Sequence, residues 1–202
     1  MALVKHNNNS ISNLTTPGSL AQGKMTLISS QTASGSASIE FTSGIDSTYP
    51  IYKFEFINIH PATNQVYFQF NLSTDTGSTY SVTKTSSSFY AYHDEADPTT
   101  AVTYEVSYDL AQSTSDQFIT VDIGNLNDES ASGTMYLFNP SSTTFVKHFM
   151  STSNSYYASD YSINTFIGGY GNTISPIDAV RFQMSSGNID AGTIKLYGIK
   201  GD

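Results

Sequence analysis

The side chains with the means to do chemistry are few in this sequence, and they do not gather. Of the four histidines, His6, His60 and His148 have no histidine or carboxylate at the i+2 or i+4 spacing of a strong metal motif. The exception is His93-Asp94-Glu95-Ala96-Asp97. Its carboxylates Asp94, Glu95 and Asp97 are oxygen ligands of the kind a divalent cation takes, and equally the content of a solvated loop ending at Pro98. Asp75-Thr76-Gly77-Ser78 shares three residues with the aspartic-protease signature, but that chemistry needs two carboxylates sharing a proton and the sequence has no second copy. The expectation is a hairpin turn in which Gly77 supplies a positive φ. Glycoside hydrolysis needs a carboxylate pair facing one cleft. Glu40, Glu55 and Glu105 fall within strand-like segments and Asp109 at the end of one, with Glu40 and Glu55 alternating with core-facing aromatics, hence on solvated faces. There is no Gly-x-Ser-x-Gly, phosphate loop or dinucleotide fingerprint. The sequence therefore predicts no catalytic residues and no cofactor.

Binding has a stronger signal than catalysis. The chain holds 14 tyrosines and no tryptophan. Tyr156, Tyr157, Tyr161 and Tyr170 fall in a stretch rich in Ser, Asn and Gly between residues 154 and 172. Tyrosine with these small polar residues is the composition of binding loops, because a rigid amphipathic ring is combined with adaptable hydrogen bonds. Sugar rings stack on such surfaces, so these four are candidate glycan or host contacts; the ordinary alternative is that they cap the fold or a subunit interface.

The elements that must position these residues have a period of two. Val66, Phe68, Phe70 and Leu72 alternate with Tyr67, Gln69 and Asn71, as a half-buried strand does, and Val180, Phe182 and Met184 alternate with Arg181 and Gln183. Around residues 52–59 the apolar face switches from Tyr52, Phe54 and Phe56 to Ile57 and Ile59, which predicts a β-bulge or a strand buried on both faces. Further strands are predicted at 26–31, 37–42, 80–85, 103–108, 117–123, 134–138, 144–151, 163–167 and 193–199. Turn signals separate them at Ser43-Gly44, Asp75-Thr76-Gly77, Asn139-Pro140, the Gly168–Asn172 run and Ser186-Gly187-Asn188. No stretch sustains a helical period. About a dozen short strands at this spacing make an all-β fold, and an antiparallel two-sheet sandwich of jelly-roll type accommodates them.

Composition narrows the setting. Charged residues are 12% of the chain, about half the usual share, and Ser and Thr together make up roughly a quarter. A neutral hydroxyl-rich surface suits strands and lets many copies pack without strong repulsion. The net charge of −9 with 8 Lys+Arg lacks the clustered basic footprint that nucleic acid requires. No apolar run approaches a membrane span, and no apolar segment follows the N-terminal charge as in a secretory signal. Asn8, Asn13 and Asn71 match the glycosylation sequon by pattern alone. No cysteine is present, which excludes disulfides, thiolate metal sites and thiol catalysis together.

Residues 1–24 are rich in Asn, Ser and Thr and carry Pro17 and Gly18. Their isolated Leu3, Val4, Ile11 and Leu14 are too few for a core, and they suit an extended N-terminal arm that docks on a neighbour. Residues 25–202 then form the β domain.

Three segments carry a family resemblance: SGSASIEFTSGIDSTY at 34–49, Asn58-Ile59-His60-Pro61-Ala62-Thr63-Asn64, and the closing Gly192-Thr193-Ile194-Lys195-Leu196-Tyr197-Gly198-Ile199. From about residue 25 to the end, the chain resembles small virion structural proteins of tailed bacteriophages, particularly of marine and cyanobacterial hosts. The arm, MALVKHNNNSISNLT, is similar to N-termini of phage tail-fibre and particle-surface proteins. The resemblance implies a non-enzymatic protein of the virion surface, of tail-fibre, head-fibre or capsid-decoration type. Assembly would take place in the bacterial host cytoplasm, frequently as a homotrimer, with other capsid or tail proteins as partners. A host surface glycan is a further expected partner; nucleic acid and membrane insertion are not. A free carbohydrate-binding module and a glycoside hydrolase or lyase fragment are the alternatives.

Overall fold

The computed structural model describes residues 25–200, all as strands and connections; no helix long and apolar enough to cross a membrane occurs among them. Twelve strands follow in order: β1 (Met25–Ser36), β2 (Ile39–Phe41), β3 (Ile51–Pro61), β4 (Phe68–Ser73), β5 (Lys84–Asp94), β6 (Thr100–Tyr104), β7 (Gln117–Phe118), β8 (Ala131–Phe138), β9 (Lys147–Tyr157), β10 (Tyr161–Gly171), β11 (Ala179–Met184) and β12 (Ile189–Ile199). They form two antiparallel sheets, an eight-stranded one in the order β1-β12-β3-β8-β9-β10-β5-β6 and a four-stranded one in the order β2-β11-β4-β7. β1 pairs with β12, β2 with β11, β3 with β8 and β4 with β7. This nested pairing is that of a long hairpin rolled on itself, the jelly-roll topology expected from strand number and turn spacing. Two inserted hairpins, β5–β6 and β9–β10, extend the larger sheet beyond the smaller one.

The core between the sheets is aromatic, as a tryptophan-free chain rich in Phe requires. The Phe182 ring contacts Phe54, Phe56 and Phe68 at centroid distances of 5.1, 5.2 and 5.7 Å. Phe41 meets both Phe54 and Phe182 edge to face. Each such ring, buried from water, contributes about 1.5–3 kcal/mol. The face switch in β3 is a bulge: its register against β8 shifts between Phe56 and Ile59, and Asn58 takes a φ of 50°.

Other expectations are corrected. β4 is buried on both faces rather than half-buried, because the segment before β7 crosses its outer side. There Gln69 donates to Asp116 at 3.2 Å and Asn71 to the Thr114 carbonyl at 3.0 Å. Asn71, buried and engaged in this way, is no glycosylation acceptor in the folded domain. The strand expected at 80–85 lies at β5, and the stretch at 117–123 keeps only two residues as strand. The Gly168–Asn172 run is not a loop, since β10 continues through Gly171. Asp75-Thr76-Gly77 is a turn, with Gly77 at φ 83°, but it joins strands of different sheets and so is no hairpin.

Candidate functional site

The overhang of the larger sheet creates a concavity. Past the edge strand β7, the inward faces of β9, β10 and β5 lose the opposing sheet, and the long segments after β6 and β7 close one side. Strand alternation sends Tyr90 and Tyr92 of β5, Tyr157 of β9, and Tyr161 and Ile163 of β10 into this space. Together with Tyr108, Val121, Asp122 and Ser159 they line a cleft of about 420 Å³, a size suited to a small ligand.

The rings form a continuous wall. Tyr157 lies 5.8 Å from Tyr161, Tyr161 5.7 Å from Tyr92, Tyr92 6.0 Å from Tyr90, and Tyr90 6.3 Å from Tyr108. Behind Tyr108, Tyr67 stacks on Phe118 at 4.5 Å and props the wall. Burial pushes the Tyr67, Tyr90 and Tyr108 phenols up, so all three stay neutral donors at ordinary pH.

Asp122 is the carboxylate among the lining residues. Burial raises its protonation range, and the neighbouring Tyr67 phenol opposes that shift. One of its oxygens, Oδ1, is shut from solvent without a hydrogen-bond partner. The hydroxyls of Ser88, Ser155 and Thr165 share that condition. All three point into the same layer, and register sets Thr165 beside Tyr90 and Ser155 beside Ile163. Buried polar atoms are ordinarily paired, so these hydroxyls, which are not among the residues lining the cleft, mark a place for buried water behind it.

Of the four tyrosines singled out in the sequence, two converge and two do not. Tyr157 and Tyr161 face each other in the cleft. Tyr156 and Tyr170 alternate to the outer face, Tyr156 donating to Asp160 at 3.2 Å and Tyr170 standing edge to face with His148. Desolvation, and then the Glu95 and Asp160 carboxylates, push the Tyr156 phenol up to about 12. All four belong to strands and not to a binding loop. Tyr90, Tyr92, Tyr108 and Asp122 are not marked out by the sequence as site residues; the period-two Tyr90-Ala91-Tyr92 is the available signal, and it lies beyond the strand expected at 80–85.

Comparison of the chain with family models, curated proteins and solved structures gives no match.

The remaining candidates disperse. Glu40 accepts from Tyr80 on the outer side of β2, Glu55 pairs with Lys53 at 2.7 Å on β3, Glu105 accepts from Ser107 in a turn, and Asp109 from Tyr104. None of the four lines the tyrosine cleft. Asp94 reaches back to the Thr99 amide, and His93 approaches Asp97 at 3.4 Å. Among the described residues no group of three His, Asp or Glu side chains is placed to hold a metal. Instead the two hairpin turns meet, with the Glu95 amide donating to the Asp160 carbonyl at 2.9 Å. A second recess lined by Asp94, Glu95 and Asp160 thus adjoins the tyrosine cleft, and Ser159 and Tyr161 line both. Leu3, Val4, Ile11 and Leu14 lie outside the described residues.

Proposed function

We propose that this protein is a non-enzymatic surface component of a bacteriophage particle whose β domain contacts a host glycan through the tyrosine cleft. The observation that carries the binding role is the wall of five tyrosines with a carboxylate among them. The phenols offer apolar faces for sugar rings, while their hydroxyls and the Asp122 carboxylate answer sugar hydroxyls. The lining holds a single carboxylate, whereas glycoside hydrolysis uses two about 5–9.5 Å apart, which favours binding over turnover.

The place of work rests on the sequence resemblance and on the arm at residues 1–24, which we assign to docking on capsid or tail proteins. Self-association has independent support in the outer face of the larger sheet, where Leu27, Phe89, Val102 and Met150 are exposed. Apolar residues spread over one sheet face suit contact with further copies, in a trimer or on the particle. Assembly in the host cytoplasm agrees with a chain that has no cysteines.

The test is adsorption of particles to host cells, with labelled antibody locating the protein on the virion. Replacing Tyr92 and Tyr161 by Ala is expected to abolish glycan binding and leave the protein on the particle. Binding unchanged by that double substitution would overturn the role of the cleft. A free carbohydrate-binding module is the second reading, favoured by the same cleft. Light scattering separates the two, because the module would be monomeric with or without residues 1–24.

A further inference from the structure

We propose that the tyrosine cleft is built to take a positively charged group, an ammonium carried by the glycan, with Asp122 as its counter-ion. This rests on the glycan reading of the cleft and narrows its ligand.

Asp122 is half-buried, and its Oδ1 has neither solvent nor a hydrogen-bond partner. Among the described residues no lysine, arginine or histidine pairs with it; the ion pairs are Lys53–Glu55, His60–Asp190, His93–Asp97 and Arg181–Asp116. A desolvated carboxylate without a counter-charge is costly. A sugar hydroxyl meeting the cleft-facing side of this carboxylate would leave its charge uncompensated. An ammonium in the same place compensates the charge, in a charge-assisted hydrogen bond roughly twice as strong as a neutral one.

The surroundings favour the same sign. Phenol rings present electron-rich faces, and a cation within about 6 Å of a ring centroid is attracted, more strongly when desolvated. Five such rings line the cleft. The adjoining recess contributes Asp94, Glu95 and Asp160, so the nearby field also draws cations. Three features with different origins thus agree: the lone carboxylate, the ring wall and the acidic neighbour.

The experiment is calorimetric titration of the full-length protein at neutral pH with three probes: a glucosamine oligosaccharide, its N-acetylated counterpart and choline. Tighter binding of the free-amine oligosaccharide than of the N-acetylated one, by roughly ten-fold or more, is expected from one desolvated cation contact. Asp122→Asn should level the two. If the N-acetylated sugar binds as tightly, or if Asp122→Asn keeps the preference, the ammonium inference fails while the glycan reading stands. Choline binding without either sugar would leave the charged site intact and remove the glycan reading. Silence with all three probes overturns both. The comparison of probes on the unmodified protein decides the matter even if the variant does not fold.

Discussion

Tyr92 and Tyr161 stand edge to face with centroids 5.7 Å apart, diagonal neighbours across the seam where β5 of one inserted hairpin pairs with β10 of the other. The contact joins segments about seventy residues apart, and the cleft exists because that seam forms.

Removing the Tyr161 ring should therefore harm binding more than folding. An aromatic pair contributes about 0.5–1.5 kcal/mol, and Tyr161 is partly open to solvent. Tyr161→Ala is expected to cost about 1 kcal/mol of stability and at least ten-fold in glycan affinity. Tyr170→Ala, on the outer face of the same strand, should leave affinity unchanged. Calorimetric titration and thermal melts check both; a Tyr161→Ala protein that melts far lower and binds normally would make the ring structural.

Some of this was legible in the sequence and some was not, for reasons of range. Alternation identifies β4 and β11 because Phe68, Phe70, Phe182 and Met184 repeat every second residue, and the bulge at Asn58 announces itself as an inverted face. β5 signals weakly because its inward residues run Lys84, Ser86, Ser88, Tyr90 and Tyr92, with no aliphatic among them and only the two tyrosines to show the period. Composition points to Tyr157 and Tyr161, but no local pattern reveals that β10 pairs with β5, nor that Asp122 arrives from the segment after β7. The outer burial of Gln69 and Asn71 is likewise invisible, since a crossing loop and not their own strand covers them.

Lys84 provides a prediction in pH. Its ammonium is buried, donating to Asn71 Oδ1 at 2.6 Å and to the Val82 carbonyl at 2.9 Å. Burial, partly offset by Asp116, brings its pKa from 10.5 down to about 8. Below about 8 both folded and unfolded states hold the proton, and the cost of burying the charge is present in full. Above that value the folded state releases the proton while the unfolded state retains it, so stability rises with pH. The gain accrues up to the unfolded value of 10.5 and reaches at most about 3 kcal/mol at 1.36 kcal/mol per unit. Tyrosine ionisation in the unfolded chain opposes it above about pH 10. Urea unfolding between neutral pH and that limit should show a rise in the wild type and a smaller rise in Lys84→Met, where Lys147, its pKa also lowered by burial, still contributes in the same sense. Parallel profiles would mean that Lys84 is not the titrating group.

Calcium should leave the domain unaffected. Asp94 is engaged with the Thr99 amide and Asp97 with His93, so the carboxylates of that turn are not arranged around one point. The melting temperature is expected to be the same in millimolar calcium and in chelator; an increase of several degrees would establish a cation site there.

The bulge between β3 and β12 predicts a contrast between two glycines. Gly192 has a φ of 121°, and a Cβ there would meet the Asn58 carbonyl oxygen at 2.6 Å and the Ile59 Cα at 2.9 Å. Both obstacles are backbone atoms of a strand whose own register shifts at this point, so neither can rotate away. Backbone strain and overpacking together should make Gly192→Ala cost about 2–3 kcal/mol. In a domain of this size that corresponds to a fall in Tm of roughly 5–10 °C. Gly168, in the middle of β10, has an ordinary φ and nothing within 4 Å of the added methyl. Gly168→Ala should therefore be neutral or slightly stabilising, because it reduces the freedom of the unfolded chain without a clash in the folded one. Thermal melts of the two variants side by side provide the measurement. Equal losses would mean that strand glycine content, and not the close approach at Asn58, sets the cost.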